Sequence, residues 1–172
     1  MKKLLVVVDM QNDFVTGCLG TDEAQAVTEG IRSFAGSFDG DIVFTRDTHG
    51  GDYLSTQEGR RLPVVHCVKD TDGWQIVPEL KPLSESDKCL KIFDKPVFGS
   101  EELAQFAREK NYDEIVLCGV CTGICVISNA VLIKAFAPET TVTVRSDLCA
   151  CVTPESHLTA LAAMKTCHID VV

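Results

Sequence analysis

The chain has no long apolar run and no excess of basic residues. A membrane-crossing helix needs about 20 consecutive apolar residues, and nothing in the sequence approaches that length. The longest early run, "LLVVV" after Lys2 and Lys3, ends at Asp9. It is shorter than the roughly 7–15 residues of a secretory core and lacks a small-residue cleavage site, so the expected home is a reducing cytoplasm. A formal charge of −9 excludes the Lys/Arg-dominated surface that nucleic acid or an anionic membrane requires. Internal repeats and low-complexity stretches are also missing. What remains is ordinary globular composition, 45% hydrophobic and 24% charged, in 172 residues, the size of one domain spanning residues 1–172.

Cysteine is plentiful: nine residues, three of them in "CGVCTGICV" (Cys118–Val126). A metal or cluster clip, a disulfide loop and a single working thiol all fit that spacing. A reducing compartment disfavours the disulfide. Cys118 should end a buried strand, and no fourth ligand stands at the usual spacing, which disfavours the clip.

Apolar runs alternate with helical patterns. Strands are expected at "KLLVVV" (Lys3–Val8), "DIVFTRD" (Asp41–Asp47), "KCLKIFDK" (Lys88–Lys95), "DEIVLC" (Asp113–Cys118), "TTVTVRSD" (Thr140–Asp147) and "HIDVV" (His168–Val172), with a short one in "LPVVHCV" (Leu62–Val68). Helices are expected at Thr21–Phe38, after an N-cap at Ser100 to Lys110, at Thr122–Phe136, and after an N-cap at Thr153 to Cys167. This order predicts an α/β fold, a mainly parallel sheet of about six strands with helices on both faces. Thr48–Arg61, rich in Gly and charge, reads as the longest connection, and a loop of that length is usually functional.

Ligands of such sheets bind beyond the carboxyl ends of the strands. The polar residues there are Asp9, then Asp47 and His49, His66, Lys95, and finally Cys121 and Cys125. Asp47 and His49 stand at i and i+2 on extended backbone and point the same way, as a ligand pair would. Each has an ordinary explanation as a cap, turn or hydrogen-bonded rim residue; together they place an acid, a cation, metal-type donors and a thiol on one rim.

"VVVDMQNDF", "TRDTH", "LPVVHC", "DKPVFGS" and "CGVCTGICV" resemble, in order and spacing, the five signatures of the isochorismatase-like cysteine hydrolases, most closely the nicotinamidase and pyrazinamidase group. The resemblance runs from about residue 4 to residue 147. It implies a Rossmann-like single domain and a catalytic triad of Asp9, Lys95 and Cys125, with the thiolate attacking an amide carbonyl. A thiol of ordinary pKa needs a base or cation beside it, and a helix start at Cys125 is expected to lower that pKa further. The resemblance also implies oxyanion donors on the backbone of Cys121 and Cys125, a cis Val120–Cys121 peptide, and an aromatic on the substrate ring at Phe14. It implies a divalent metal, zinc or else manganese or iron, on Asp47, His49 and His66. The fourth ligand varies among relatives; Glu58 stands at a suitable distance here, and the donor set suits those metals.

The reaction so implied is nicotinamide to nicotinate plus ammonia, a step of NAD salvage, by a protein that self-associates as a homo-oligomer. Leu62 departs from the pattern, since relatives often carry Trp there, so the substrate could be another small amide; Trp74 has no assignable role. Gln11, Asp13 and Arg46 could orient the triad or simply occupy turns. Competing readings are a ureido-type amidase, which would lack the metal set, isochorismatase chemistry, which uses no cysteine, and a catalytically silent binding domain, which would not need the three triad residue types together.

Overall fold

The computed structural model describes residues 1–172. In chain order the elements are β1 (Lys3–Val8), α1 (Asn12–Val15), α2 (Asp22–Ser37), β2 (Asp41–Asp47), a 3-10 turn (Tyr53–Ser55), α3 (Gln57–Arg61), α4 (Lys81–Ser84), β3 (Cys89–Lys95), α5 (Glu101–Lys110), β4 (Glu114–Val120), a π-helical turn (Thr122–Val126), α6 (Ile127–Phe136), β5 (Thr141–Ala150), α7 (Pro154–Thr166) and β6 (Asp170–Val171). All strand pairs are parallel, in the order β3-β2-β1-β4-β5-β6. None of the helices is long and apolar enough to cross a membrane.

The central strands β1 and β4 are buried on both faces, which is why they read as continuous apolar runs. On one face α2 lays Ala24, Ile31 and Ala35 against Leu5, Val7 and Phe44. On the other, α5, α6 and α7 pack Leu103, Ala130, Ile133 and Met164 against Leu4, Val6 and Leu117. Ser100 and Thr153 cap their helices by accepting backbone N–H groups, as expected, and Thr21, expected as the first helical residue, caps α2 in the same way. At Gly119 the backbone turns through φ +115°, and an added Cβ would lie 2.2 Å from the Val8 carbonyl oxygen, so only glycine lets β4 stay this close to β1.

Three expectations are corrected. Leu62–Val68 is not a strand: Pro63 interrupts it, Leu62 and Val65 are exposed, Cys67 has φ 45°, and only an isolated His49–Val68 bridge forms. The longest connection is the whole of 48–88, between β2 and β3, and it carries the 3-10 turn, α3 and α4. The helix expected from Thr122 begins as a π turn, in which Val126 N–H donates to the Cys121 carbonyl at 3.1 Å, before regular α-helix starts at Ile127.

Candidate functional site

The strand order reverses direction between β1 and β4, and the crevice there opens at the carboxyl ends. β1 delivers Asp9, held at φ 49°; β2 delivers Asp47; β3 delivers Lys95; and the turn after β4 delivers Cys121 and Cys125. The register pairs Asp47 with Lys95 across β2 and β3, which explains how residues so far apart in sequence meet.

Lys95 is the hub, 1% exposed. Its Nζ lies 2.6 Å from Asp9 Oδ2, 3.4 Å from Cys125 Sγ and 3.4 Å from Asp47 Oδ1. Asp9 is fully buried; its other oxygen, Oδ1, accepts from Thr45 Oγ1 at 2.6 Å. Burial lifts the Asp9 carboxyl above its ordinary range, with Lys95 pulling it down and Asp47 adding to the rise. Burial would depress the Lys95 ammonium, but Asp9, Cys125 and Asp47 together raise it, so it stays charged. The expected lowering of the Cys125 thiol is not met: complete burial pushes it well above its usual value, Asp9 adds to this, and Lys95 opposes it. Burial thus opposes ionisation at both Asp9 and Cys125, and the Lys95 charge between them favours it.

The Val120–Cys121 peptide is cis. The Cys121 N–H makes no hydrogen bond to another backbone group. Cys118 sits in the core on the α2 side of the sheet, whereas Cys125 belongs to the opposite side, so the two cannot share a ligand. Asn129, buried on α6, donates to the Cys125 carbonyl at 2.8 Å and accepts from Ser100 N–H at 2.9 Å, tying the thiol-bearing turn to the loop after Lys95.

Beside this cluster, the donor atoms of Asp47, His49, Glu58 and His66 all lie within 4.8 Å of one another. Asp47 Oδ2 is 2.9 Å from His49 Nε2 and 3.4 Å from His66 Nε2, and Glu58 Oε1 is 3.8 Å from His49 Nε2. His66 donates Nδ1–H to the Val64 carbonyl at 2.7 Å, which leaves Nε2 facing the cluster. Tyr53 packs edge-on against the His66 ring and closely against His49. Burial would raise Asp47, but hydrogen bonds from His49 and His66, with Lys95 nearby, hold it well below the usual range. Glu58 is raised by burial and by Asp47. Two crowded carboxylates with two imidazoles make a donor set that suits a divalent cation.

A cavity of about 440 Å³ opens onto both clusters and is lined mainly by apolar residues, among them Phe14, Leu19, Leu62, Phe98 and Ile124. Phe14 sits 5.5 Å from the His66 ring. Trp74 is elsewhere: it lies under the Arg46 guanidinium and donates Nε1–H to Thr48. Arg46 also pairs with Asp94, so it does not reach the thiol. Gln11 clamps Asp47, accepting from its N–H at 2.7 Å and donating to its carbonyl at 2.9 Å, and Asp13 accepts from Cys67 N–H. Sequence reasoning missed Thr45, Tyr53 and Asn129. A hydroxyl within the buried run "DIVFTRD" was the available signal for Thr45.

A buried acid, a cation and a thiol gathered at the switch point of a parallel α/β sheet make a hydrolase-type site built on sulfur. The chain belongs to the isochorismatase family, whose domain matches residues 3–172. The nicotinamidase of Saccharomyces cerevisiae is 28% identical over 185 aligned residues, covering 81% of this chain and 85% of that protein. The crystal structure of the nicotinamidase/pyrazinamidase PncA of Bacillus subtilis superposes with a TM-score of 0.87 at 26% identity, covering 100% of both chains. The pyrazinamidase of Pyrococcus horikoshii, solved in complex with zinc, gives 0.81 at 26% identity, over 100% of this chain and 99% of that one.

Proposed function

We propose that the protein is a cysteine amidohydrolase that cleaves a small amide, nicotinamide to nicotinate and ammonia, through a thioester on Cys125. The observation that carries this reading is Lys95 Nζ standing between Asp9 and the Cys125 sulfur, at 2.6 Å and 3.4 Å. A neutral buried thiol is a poor nucleophile until its proton leaves, and an acid of raised pKa beside it is a suitable acceptor. As the sulfur attacks the carbonyl carbon, Asp9 takes the thiol proton, and the fixed Lys95 charge stabilises the developing thiolate. The N–H groups of Cys121 and Cys125 receive the oxyanion. Asp9 then passes its proton to the leaving nitrogen, ammonia departs, and Asp9 deprotonates the water that hydrolyses the thioester and returns that proton to the departing Cys125 sulfur.

Asp47, His49, Glu58 and His66 would hold a divalent metal, with zinc the first choice given the zinc-bound P. horikoshii relative. Such an ion supplies a positive centre for a ring nitrogen or water. Phe14 and Leu62 would flank the ring in the apolar part of the cavity. Release of nicotinate from nicotinamide would be a step of NAD salvage, and the cytoplasm is the compartment we propose for it.

The test is ammonia release across a small panel: nicotinamide, pyrazinamide, an aliphatic amide and a ureido compound. Nicotinamide or pyrazinamide should be turned over at least tenfold faster than the others. Preference for the ureido compound would refute the substrate, and inactivity on every member would refute the amidase reading.

A further inference from the structure

Two further thiols face the same cavity as Cys125, and the proposed hydrolysis uses neither sulfur. Cys121 follows β4 and Cys151 follows β5, both lining the cavity. The last paired positions of these parallel strands are Val120 opposite Ala150, so Cys121 and Cys151 are the next pair across. Neighbouring strands lie about 4.8 Å apart, so the residues one step beyond that pair stand close together across the strand ends. That falls within the roughly 4.4–6.8 Å Cα separation a disulfide requires. Cys121 beside it, with Ser156 and the backbone N–H groups of Gly123 and Val152, outweighs burial and holds the Cys151 thiol down to about 5, which favours its thiolate.

We propose that Cys121 and Cys151 are an oxidant-sensitive pair that closes into a reversible disulfide when a small peroxide enters the cavity, and that the closed form does not turn over amide. The Cys151 thiolate attacks one peroxide oxygen, breaking the O–O bond and giving a sulfenic acid; the departing hydroxide takes up a proton and leaves as water. Cys121 sulfur then attacks Cys151 sulfur and loses its proton as the sulfenic oxygen leaves as a second water. Two thiols are oxidised by two electrons and one hydrogen peroxide is reduced. The loss of turnover rests on the amidase reading, because it follows from drawing the Cys121 backbone, an oxyanion donor there, toward β5. A donor misplaced by about half an ångström is enough to matter. The crosslink itself rests on the placement of both residues one step beyond the Val120–Ala150 pair and on the cavity they share.

The experiment treats the reduced full-length protein with graded hydrogen peroxide and blocks free thiols. A non-reducing digest is then read by mass spectrometry, with fragment spectra assigning the bond. Ammonia release is measured before and after treatment, and again after dithiothreitol. A Cys121–Cys151 link should appear with a fall of at least tenfold in turnover, both reversed by dithiothreitol. Cys151→Ser, compared with its own untreated rate, should lose the reversible part. A Cys125–Cys151 link in its place, or no link at all, overturns the site. A link without a fall in turnover overturns its role as a switch. If the protein releases no ammonia from any amide, the crosslink still decides whether the pair is redox-active.

Discussion

Replacing Lys95 by Met tests how the buried charges are held. The two side chains have similar volume, so the change removes charge more than packing. At 2.6 Å and an effective dielectric near 20, the Lys95–Asp9 attraction is about 6 kcal/mol before desolvation is subtracted. Breaking a buried pair by removing one partner costs about 3–5 kcal/mol, because the remaining charge is stranded. At about 2–4 °C per kcal/mol for a chain of this size, Lys95→Met should melt roughly 6–20 °C below wild type at pH 8.

The pH dependence has a definite sign. Asp9 already has a folded pKa above its unfolded value, so its ionisation opposes folding as pH rises between the two. Without Lys95 the folded value rises further and that window widens upward. The deficit of Lys95→Met should therefore shrink toward pH 5, where Asp9 keeps its proton in the folded variant. Lys95 has a raised folded pKa, and its own contribution is present throughout that range. Adding Asp9→Asn to Lys95→Met should recover stability, giving a coupling of at least about 2 kcal/mol in a double-mutant cycle. The assay is thermal melting of the four proteins at pH 5 and pH 8. An additive cycle with a deficit unchanged by pH would refute the reasoning.

Thr45→Val removes the donor to Asp9 Oδ1 at 2.6 Å, and losing a hydrogen bond to a charged group costs about 1.5–3 kcal/mol. Because that bond favours ionised Asp9, the acidic limb of the kcat/KM profile should move to higher pH; an unmoved limb would contradict Asp9 as the base. Asp47→Ala and Glu58→Ala should lower metal content measured by mass spectrometry of the purified protein, and retention of a full equivalent by both would refute the assigned ligands. Gly119→Ala must place a Cβ against the Val8 carbonyl at a backbone angle suited to glycine, so melting should fall by several degrees; an unchanged midpoint would refute the close approach.

Much of the fold could be read from the sequence because parallel strands buried on both faces leave continuous apolar runs. β1 and β2 have the expected bounds, and β4 and β5 differ from theirs at the ends. Capping side chains marked the starts of α5 and α7 for a local chemical reason. Strand order and register were out of reach, since they depend on how the segment 48–88 returns the chain to the edge beside β2. The same apolar content that marks a strand misled at Leu62–Val68, where Pro63 and the turn at Cys67 prevail over hydrophobicity. Composition also cannot separate a π turn from an α-helix start, and the behaviour of Cys125 follows from burial, which no local motif encodes.

Asp9, Lys95 and Cys125 were among the polar residues expected beyond strand ends, and the family resemblance singled them out as a triad, yet their contacts required the register that pairs Asp47 with Lys95. The supporting residues were harder to find. Tyr53 and Asn129 act through ring packing and backbone bonds that connect separate segments.

The central claim is that the Cys125 sulfur attacks the amide. Ammonia release from nicotinamide should be followed for the wild type and Cys125→Ala at matched metal content and confirmed fold. Turnover by the wild type and a loss of at least about 10³-fold in the variant are expected, the scale on which a covalent nucleophile acts. Release by Cys125→Ala at a rate close to wild type would contradict the claim.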